Sequence, residues 1–582
     1  NLSTLFMATV RDGEETKANS SGEDITGPTR EIPDPVETER LSFLFKSSYQ
    51  ITPEHDVGVV FEQTDASSEL NNLSRVNQQI TARWTEDESN RQRVGMFHVW
   101  QAHSLIVDAL SWELNFQESY TQGITNMHYS GCAKAEGRRC LEYKAPYLRQ
   151  ENRNFTQESL KFNVDLTKQF ITGSINHDLV YGFSYEDKML ENIMWDNRWV
   201  GLTPDSDYLP LSRPKADGQT HYPERDASFI PQTDVSIWNL YLRDSIALTD
   251  ALTVNAGLRY DNTLYQPKTG AFFTDTENLV KDLDISALSW QLSAIYEINA
   301  NHIVSFDANH GYKAPTVQEV YYGSRGASGD NWTTLPNYNL DVETATNVEL
   351  YYQWQHESAF IKASVFATQY DDFIEYVELS RPLAEPKVEH YFDRTTMSMK
   401  TRTTTTDEYQ MPVNIGEGKS QGFEFEAQWN IADNHILQAS YSHVTGEYDN
   451  GDPMESISPD SAIVAWVYNA DNWNLRTQVR HTAEKKLSDA YKTDGDGVQQ
   501  PVSDYLSDTS TVLDMTANFY LLDDFTLNIA LRNITDEHYY SWQKVRRVSD
   551  GSGGFRGGVA ENDINRYSEP GRTISASIQY VF

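Results

Sequence analysis

Apolar and polar side chains alternate along most of this chain. Between His302 and Tyr312, Val304, Phe306 and Ala308 share one face of an extended segment, and Ser305, Asp307 and Asn309 share the other. From Asn347 to Trp354 the set Val348, Leu350, Tyr352 and Trp354 opposes Asn347, Glu349, Tyr351 and Gln353. Leu252, Val254, Ala256, Leu258 and Tyr260 repeat the pattern, as do Phe525, Leu527, Ile529 and Leu531. Successive side chains of a strand point to opposite faces, so each segment predicts a strand with one apolar and one polar wall. Lipid on one side of a sheet and water on the other demands that pattern. Arg259 and Arg532 fall on the polar wall. At a lipid midplane an arginine would cost roughly 2–4 kcal/mol. No fixed repeat period of the kind that marks propellers or solenoids is visible.

Short turns provide the strand count. They are predicted near Pro53, between Gln101 and Leu110, and near Ser174, Thr249, Ala300, His356, Ala432, Asp471 and Asp523. Each joins two strands, and an opening and a closing strand bring the total to about twenty. Polar stretches near 11–40, 65–91, 119–155, 188–232, 262–286, 313–345, 379–412, 446–458, 485–508 and 541–570 predict loops on the opposite rim. Loops of that length usually carry a function such as ligand binding. The expected fold class is all-β: a transmembrane antiparallel β-barrel with short periplasmic turns and long extracellular loops.

Composition supports this reading only once the alternation is seen. Hydrophobic content is 39% and mean hydropathy is −0.60, values that suit a water-soluble chain. No apolar run of about 18 residues exists, which excludes a helical membrane protein but not a barrel. A net charge of −38 argues against a nucleic-acid partner, because phosphate contacts need Lys and Arg. The acidity fits long solvated loops, with a share able to bind divalent cations beside lipopolysaccharide. Cys132 and Cys140 stand close together in a polar loop, a spacing that predicts a disulfide in an oxidising compartment.

Catalytic patterns are absent. There is no GxSxG, no HExxH and no phosphate-cradling glycine loop. Lys492–Gly497 resembles part of a calcium loop but lacks the later ligands, so no metal site is assigned. Gly551–Gly558 reads as a flexible connection.

Two motifs carry a family resemblance. Tyr312-Lys313-Ala314-Pro315 resembles the FRAP box of TonB-dependent outer-membrane receptors. Asn337-Tyr338-Asn339-Leu340, followed by Glu343-Thr344, resembles their NPNL box. The stretch from Arg30 to Glu62 is similar to the haemoglobin, transferrin and lactoferrin receptor branch. The closing segment places Ile574, Ala576, Ile578, Tyr580 and terminal Phe582 on one face, and Phe582 resembles the signal read by the barrel-assembly machinery. The resemblance implies a 22-stranded barrel in the bacterial outer membrane, of which about twenty strands are visible. It also implies an N-terminal plug that contacts the TonB energy-coupling system. Nothing in the first 40 residues resembles a plug or a signal peptide, so residues 1–582 read as the barrel portion of a longer protein.

The implied function is energy-dependent uptake of an iron-bearing ligand, haem or haemoglobin, with no bond chemistry in the barrel. Haem is then the transported ligand and not an intrinsic cofactor. An axial ligand to haem is usually His or Tyr, which makes His128, His221, His390, Tyr321 and Tyr322 candidates. His310 has the parity of Phe306 and Ala308 and is expected to face lipid. Lys313, Gln318, Glu319, Arg325, Trp332, Asn337 and Asn339 could form a binding surface, although the boxes are better suited to shaping the connection than to touching cargo. No histidine lies between Pro315 and Asn339. That keeps a siderophore or another host iron protein open as cargo. A passive porin is the alternative from a different class.

Overall fold

The computed structural model describes the chain apart from residues 20–21, 131, 137–138, 144–145, 201, 203–227, 271–272, 274–277, 326–332, 394–397, 494–496, 504, 523, 547, 549–560 and 582. Its frame is a single meander of long strands. They are β1 (Leu2–Glu14), β2 (Val36–Thr52), β3 (His55–Asn71), β4 (Ile80–Gln101), β5 (Ala109–Tyr129), β6 (Tyr147–Thr172) and β7 (Ile175–Val200). Then come β8 (Gln232–Thr249), β9 (Leu252–Lys268), β10 (Leu283–Asn299), β11 (His302–Lys313), β12 (Glu343–His356), β13 (Ala359–Asp393) and β14 (Ser398–Ala432). The series ends with β15 (His435–Tyr448), β16 (Ser461–Asn469), β17 (Trp473–Thr482), β18 (Ser510–Leu522), β19 (Phe525–Arg532) and β20 (Thr573–Tyr580). Each strand pairs antiparallel with the next in the chain. Two short pieces in the 313–343 connection, Ser324–Arg325 and Thr333–Thr334, join the same sheet.

All nine predicted short turns fall between consecutive strands. At the one after β6, Gly173 adopts φ +67°, a left-handed backbone that favours glycine. The alternation also sorts the two faces as expected. Leu242, Leu258 and Trp290 are opposed across β8, β9 and β10, and all three are exposed. Leu350, Val365 and Phe423 continue the exposed apolar face across β12, β13 and β14. Contiguous apolar surface of this extent is unfavourable against water and suits lipid. The opposite face holds charge. Arg259 Nη2 lies 2.7 Å from Asp261 Oδ1, and Arg93 Nη2 lies 2.7 Å from Glu113 Oε1.

Several predicted loops are strand instead. β3 continues to Asn71 and β4 resumes at Ile80, so most of 65–91 is paired. The stretches 119–155 and 379–412 are likewise built largely from β5 with β6 and from β13 with β14. β6 and β7 have 26 residues each, and β13 and β14 have 35 each. A tilted strand crosses a bilayer in about 9–11 residues, so these strands stand well above the membrane. Water wets both of their faces there, and the alternation that betrays a strand disappears while the ladder continues. Cross-strand polar pairs occupy the walls: Asn126 Nδ2 donates to Glu86 Oε1 at 3.2 Å, and Gln122 Nε2 donates to Asn154 Oδ1 at 3.1 Å.

No ladder joins β1 to β20 among the described residues. Their ends on the rim opposite the short turns nevertheless meet. The Asn19 amide donates to Glu569 O at 3.1 Å, and Asn19 Nδ2 donates to Glu537 O at 2.9 Å.

Candidate functional site

The two family-like boxes fold into one clamp on the rim opposite the short turns. β11 ends at Lys313, and Ala314-Pro315 leads into a short helix, α1 (Val317–Tyr321). Thr316 caps it: the Glu319 amide donates to Thr316 Oγ1 at 3.1 Å, and the Thr316 amide donates to Glu319 Oε2 at 2.7 Å. Lys313 Nζ then bridges two carboxylates, at 3.0 Å from Glu319 Oε1 and 3.0 Å from Glu343 Oε2. Glu343 belongs to the second box, so this ammonium fastens one box to the other. Burial disfavours ionisation of Glu319, but the Thr316 amide, Lys313 and the Thr316 hydroxyl outweigh it. Its carboxyl is held below the ordinary carboxylate value.

Asn337 locks the return path. Its amide donates to Val320 O at 2.8 Å, its Nδ2 donates to Pro412 O at 2.8 Å, and its Oδ1 accepts from the Asn339 amide at 3.0 Å. Leu340 is 2% exposed and packs with Val320 and Tyr321 on Val235, Tyr265, Leu283 and Ile285 of β8, β9 and β10. Pro315 is fully buried, and its carbonyl accepts from Tyr265 Oη at 2.6 Å. Tyr312 stands beside the Arg259–Asp261 pair on β9. Of the proposed binding surface, Gln318 and Asn339 face solvent. Trp332 and the Arg325 side chain lie outside the described residues.

The haem-ligand candidates separate. Tyr321 is 0% exposed, and its hydroxyl donates to Lys281 O at 2.7 Å. It is a core residue, with no free face for a porphyrin iron, which corrects the expectation from sequence. Tyr322 is half-buried against Phe229, with ring centroids 5.5 Å apart. His128 sits high on β5, edge-on to Trp84 at 5.1 Å. His390 lies on β13 opposite Thr401, but its side chain is outside the described residues, and His221 lies outside them entirely. Cys132 and Cys140 lie on a small hairpin, Cys132–Glu136 with Arg139–Tyr143, where their side chains are likewise not described. Phe582 also falls outside the described residues.

Sequence reasoning missed a belt of histidines. His310 has the expected outward parity and stacks on Trp290. Others cluster at the short-turn rim of the same face. Trp112 Nε1 donates to His98 Nδ1 at 3.0 Å, and His98 Nε2 lies 3.0 Å from His55 Nδ1. His302 pairs with Tyr352, His356 with Trp354, and His435 with Trp466. These rings lie on the apolar outer face with their aromatic neighbours, where an amphipathic interface suits them. The signal was present, since His55, His98, His302, His356 and His435 each lie within a few residues of a short turn and share parity with the apolar set.

Arg30 was also missed. It lies in the branch-like segment, is 2% exposed, and contacts Asp24 at 2.5 Å and Asp34 at 3.2 Å. Asp34 in turn accepts from the Ser74 amide and hydroxyl at 2.8 and 2.6 Å. Thr493, in the calcium-like segment, is spent on Asp452: its amide and hydroxyl donate to that carboxylate at 2.9 and 2.5 Å.

Comparison with known proteins agrees with this architecture. Residues 40–534 match the family described as TonB dependent receptor-like, beta-barrel. The chain is 24% identical to the probable hemoglobin and hemoglobin-haptoglobin-binding protein 4 of Haemophilus influenzae, over 75% of this chain and 49% of that protein. It is 23% identical to the hemoglobin-haptoglobin utilization protein B of Neisseria meningitidis serogroup C, over 100% of this chain and 75% of that protein. The chain therefore spans about half the length of the first of these relatives. Among solved structures it resembles the copper transporter OprC, with a TM-score of 0.66 at 13% identity over 100% of this chain and 76% of that one. The FrpB iron transporter from Neisseria meningitidis gives a TM-score of 0.63 at 14% identity, covering 100% and 77%. Family membership places the barrel in the outer membrane of Gram-negative bacteria. The chain belongs to the TonB-dependent receptor-like β-barrel family.

Proposed function

We propose that this chain is the barrel portion of a receptor for energy-dependent uptake of an iron-bearing ligand, haem or haemoglobin. The observation that carries the reading is the similarity, over three quarters of the chain or more, to proteins named for binding hemoglobin and hemoglobin-haptoglobin. The tall strand walls of β4–β7 and β13–β14 add a large extracellular surface, which suits capture of a protein better than capture of a small chelate. Cargo would bind to these walls and connections. A plug outside residues 1–582 would release it inward when pulled by TonB. In this reading a further hairpin between β1 and β20 closes the barrel to 22 strands, and Cys132 and Cys140 form a disulfide that staples the β5–β6 connection.

A siderophore is the second reading, favoured by the lack of a histidine between Pro315 and Asn339. Binding of haemoglobin, haem and a ferric siderophore to the full-length receptor separates the two. Haemoglobin binding is expected. Binding of the siderophore alone would overturn the cargo assignment and leave the family untouched.

A further inference from the structure

A cavity of about 590 Å³ opens on the extracellular rim, well away from the box clamp. The upper ends of β15, β16, β17 and β18 form its walls, and the 533–572 connection roofs it. Arg480 lies on the strand face opposite exposed Val479, so the cavity opens on the inward side of the sheet. We infer that this cavity is a binding site for a neutral sugar unit of a glycan, a role separate from iron cargo.

The lining selects the ligand class. Ser442, Ser458, Ser461, Ser507, Ser510 and Ser541 all contribute to it. A hydroxyl both donates and accepts, as does each hydroxyl of a hexose. Ser442 and Ser461 bond each other, Ser458 accepts from Gln543 and Ser541 donates to Glu569, which leaves Ser507 to meet a polyol. One of these groups lacks a partner. Ser507 is 4% exposed, and its Oγ makes no hydrogen bond among the described residues. A buried hydroxyl left unpaired costs about 1–3 kcal/mol, so such groups in native proteins call for an explanation. Tyr539 and Tyr540 add aromatic rings that can cover the apolar C–H face of a sugar.

Charge excludes anionic ligands. Arg480 is the cation in the lining, and its Nη2 donates to Tyr539 Oη at 3.1 Å. Against it stand Asp508 and Glu569. Glu569 is occupied by Lys544 Nζ at 2.9 Å and Ser541 Oγ at 2.6 Å, whereas Asp508 is exposed and can accept from a sugar hydroxyl. A carboxylate or phosphate ligand would meet no surplus of positive charge. The roof is held in place. Trp542 is 2% exposed, its Nε1 donates to Glu455 O at 2.6 Å, and Lys485 Nζ sits 5.3 Å from its ring centre. A volume of this size lies within the range of small-molecule sites, about 300–1,000 Å³.

The sugar could come from a glycan on a captured protein or from lipopolysaccharide. Saturation-transfer NMR on the full-length receptor separates these, using a released biantennary N-glycan and delipidated lipopolysaccharide core oligosaccharide. Lauryldimethylamine oxide is the detergent of choice, because maltoside detergents carry sugar headgroups. Transfer to at least one oligosaccharide is expected, with affinity falling about tenfold in Asp508→Asn and Ser507→Ala. The oligosaccharide that binds identifies the source. Asp508 is exposed, so its variant is expected to fold normally. The inference is overturned if neither oligosaccharide shows transfer, if both variants bind as the wild type does, or if haem binds with an absorbance shift that Tyr540→Phe abolishes.

Discussion

Two connections on the rim opposite the short turns end in opposite states. The 313–343 connection, between β11 and β12, closes down on an apolar core of Val320, Tyr321 and Leu340. The 533–572 connection, between β19 and β20, arches over a hydroxyl-lined cavity. Both are fixed by an asparagine. Asn337 reaches Pro412 O, and Asn533 Nδ2 donates to Glu537 O at 2.8 Å and Pro570 O at 3.0 Å. The anchoring device is therefore shared, and what lies beneath it differs. A recognisable motif marks the clamp, whereas the space able to hold a ligand lies where the sequence reads as serine and tyrosine in loops.

The comparison breaks most readily at the apolar core. Tyr321→Ala removes a buried ring and its bond to Lys281 O, at a cost of about 3–5 kcal/mol. Limited proteolysis within 313–343 should accelerate by about a hundredfold or more. Unchanged cleavage would show that the clamp is not closed in the membrane. Arg30→Ala should rank next, at about 2–3 kcal/mol, because it removes a buried guanidinium that bonds Pro33 O as well as Asp24 and Asp34. Cleavage within 15–35 reports it. Asn337→Ala should cost about 1–3 kcal/mol through the orphaned Pro412 carbonyl, read by the same proteolysis assay as Tyr321→Ala.

The smallest effects concern charge. Lys313 is 52% exposed, so Lys313→Met should cost about 1 kcal/mol or less despite two close carboxylates. Glu319 gives the clamp a pH dependence of defined sign. Its carboxyl titrates below the ordinary 4.5 when folded, so its stabilising contribution is complete above pH 4.5 and is lost as pH falls through the lowered value. Proteolysis within 313–343 should rise on acidification below pH 4.5, and Glu319→Gln should flatten that rise.

The strand frame was legible because membrane-facing residues must alternate. Each short turn was legible because the alternation stops there. The upper halves of β5, β6, β13 and β14 were not legible, since polar groups on both faces, such as the adjacent Arg153 and Asn154 of β6, remove the period. The boxes could be read as motifs, but their partners could not. Pro412 and Asn414 lie on β14, and their contacts with Asn337 and Asp341 span more than 70 residues of sequence. Tyr321 looked available beside a box because tyrosine is common at interfaces, and only packing reveals that Lys281 O consumes its hydroxyl. Arg30 offered no period or motif of its own that pointed to burial.

The most direct test of the account is haemoglobin binding to the immobilised full-length receptor, with Lys313→Met and wild type measured side by side. The account predicts binding in both with dissociation constants within about threefold, because the boxes hold the connection and the strand walls hold the cargo. Loss of haemoglobin binding in Lys313→Met, with the clamp still resistant to protease, would place the box in contact with cargo and contradict it. So would a wild-type receptor that binds a ferric siderophore and no haemoglobin.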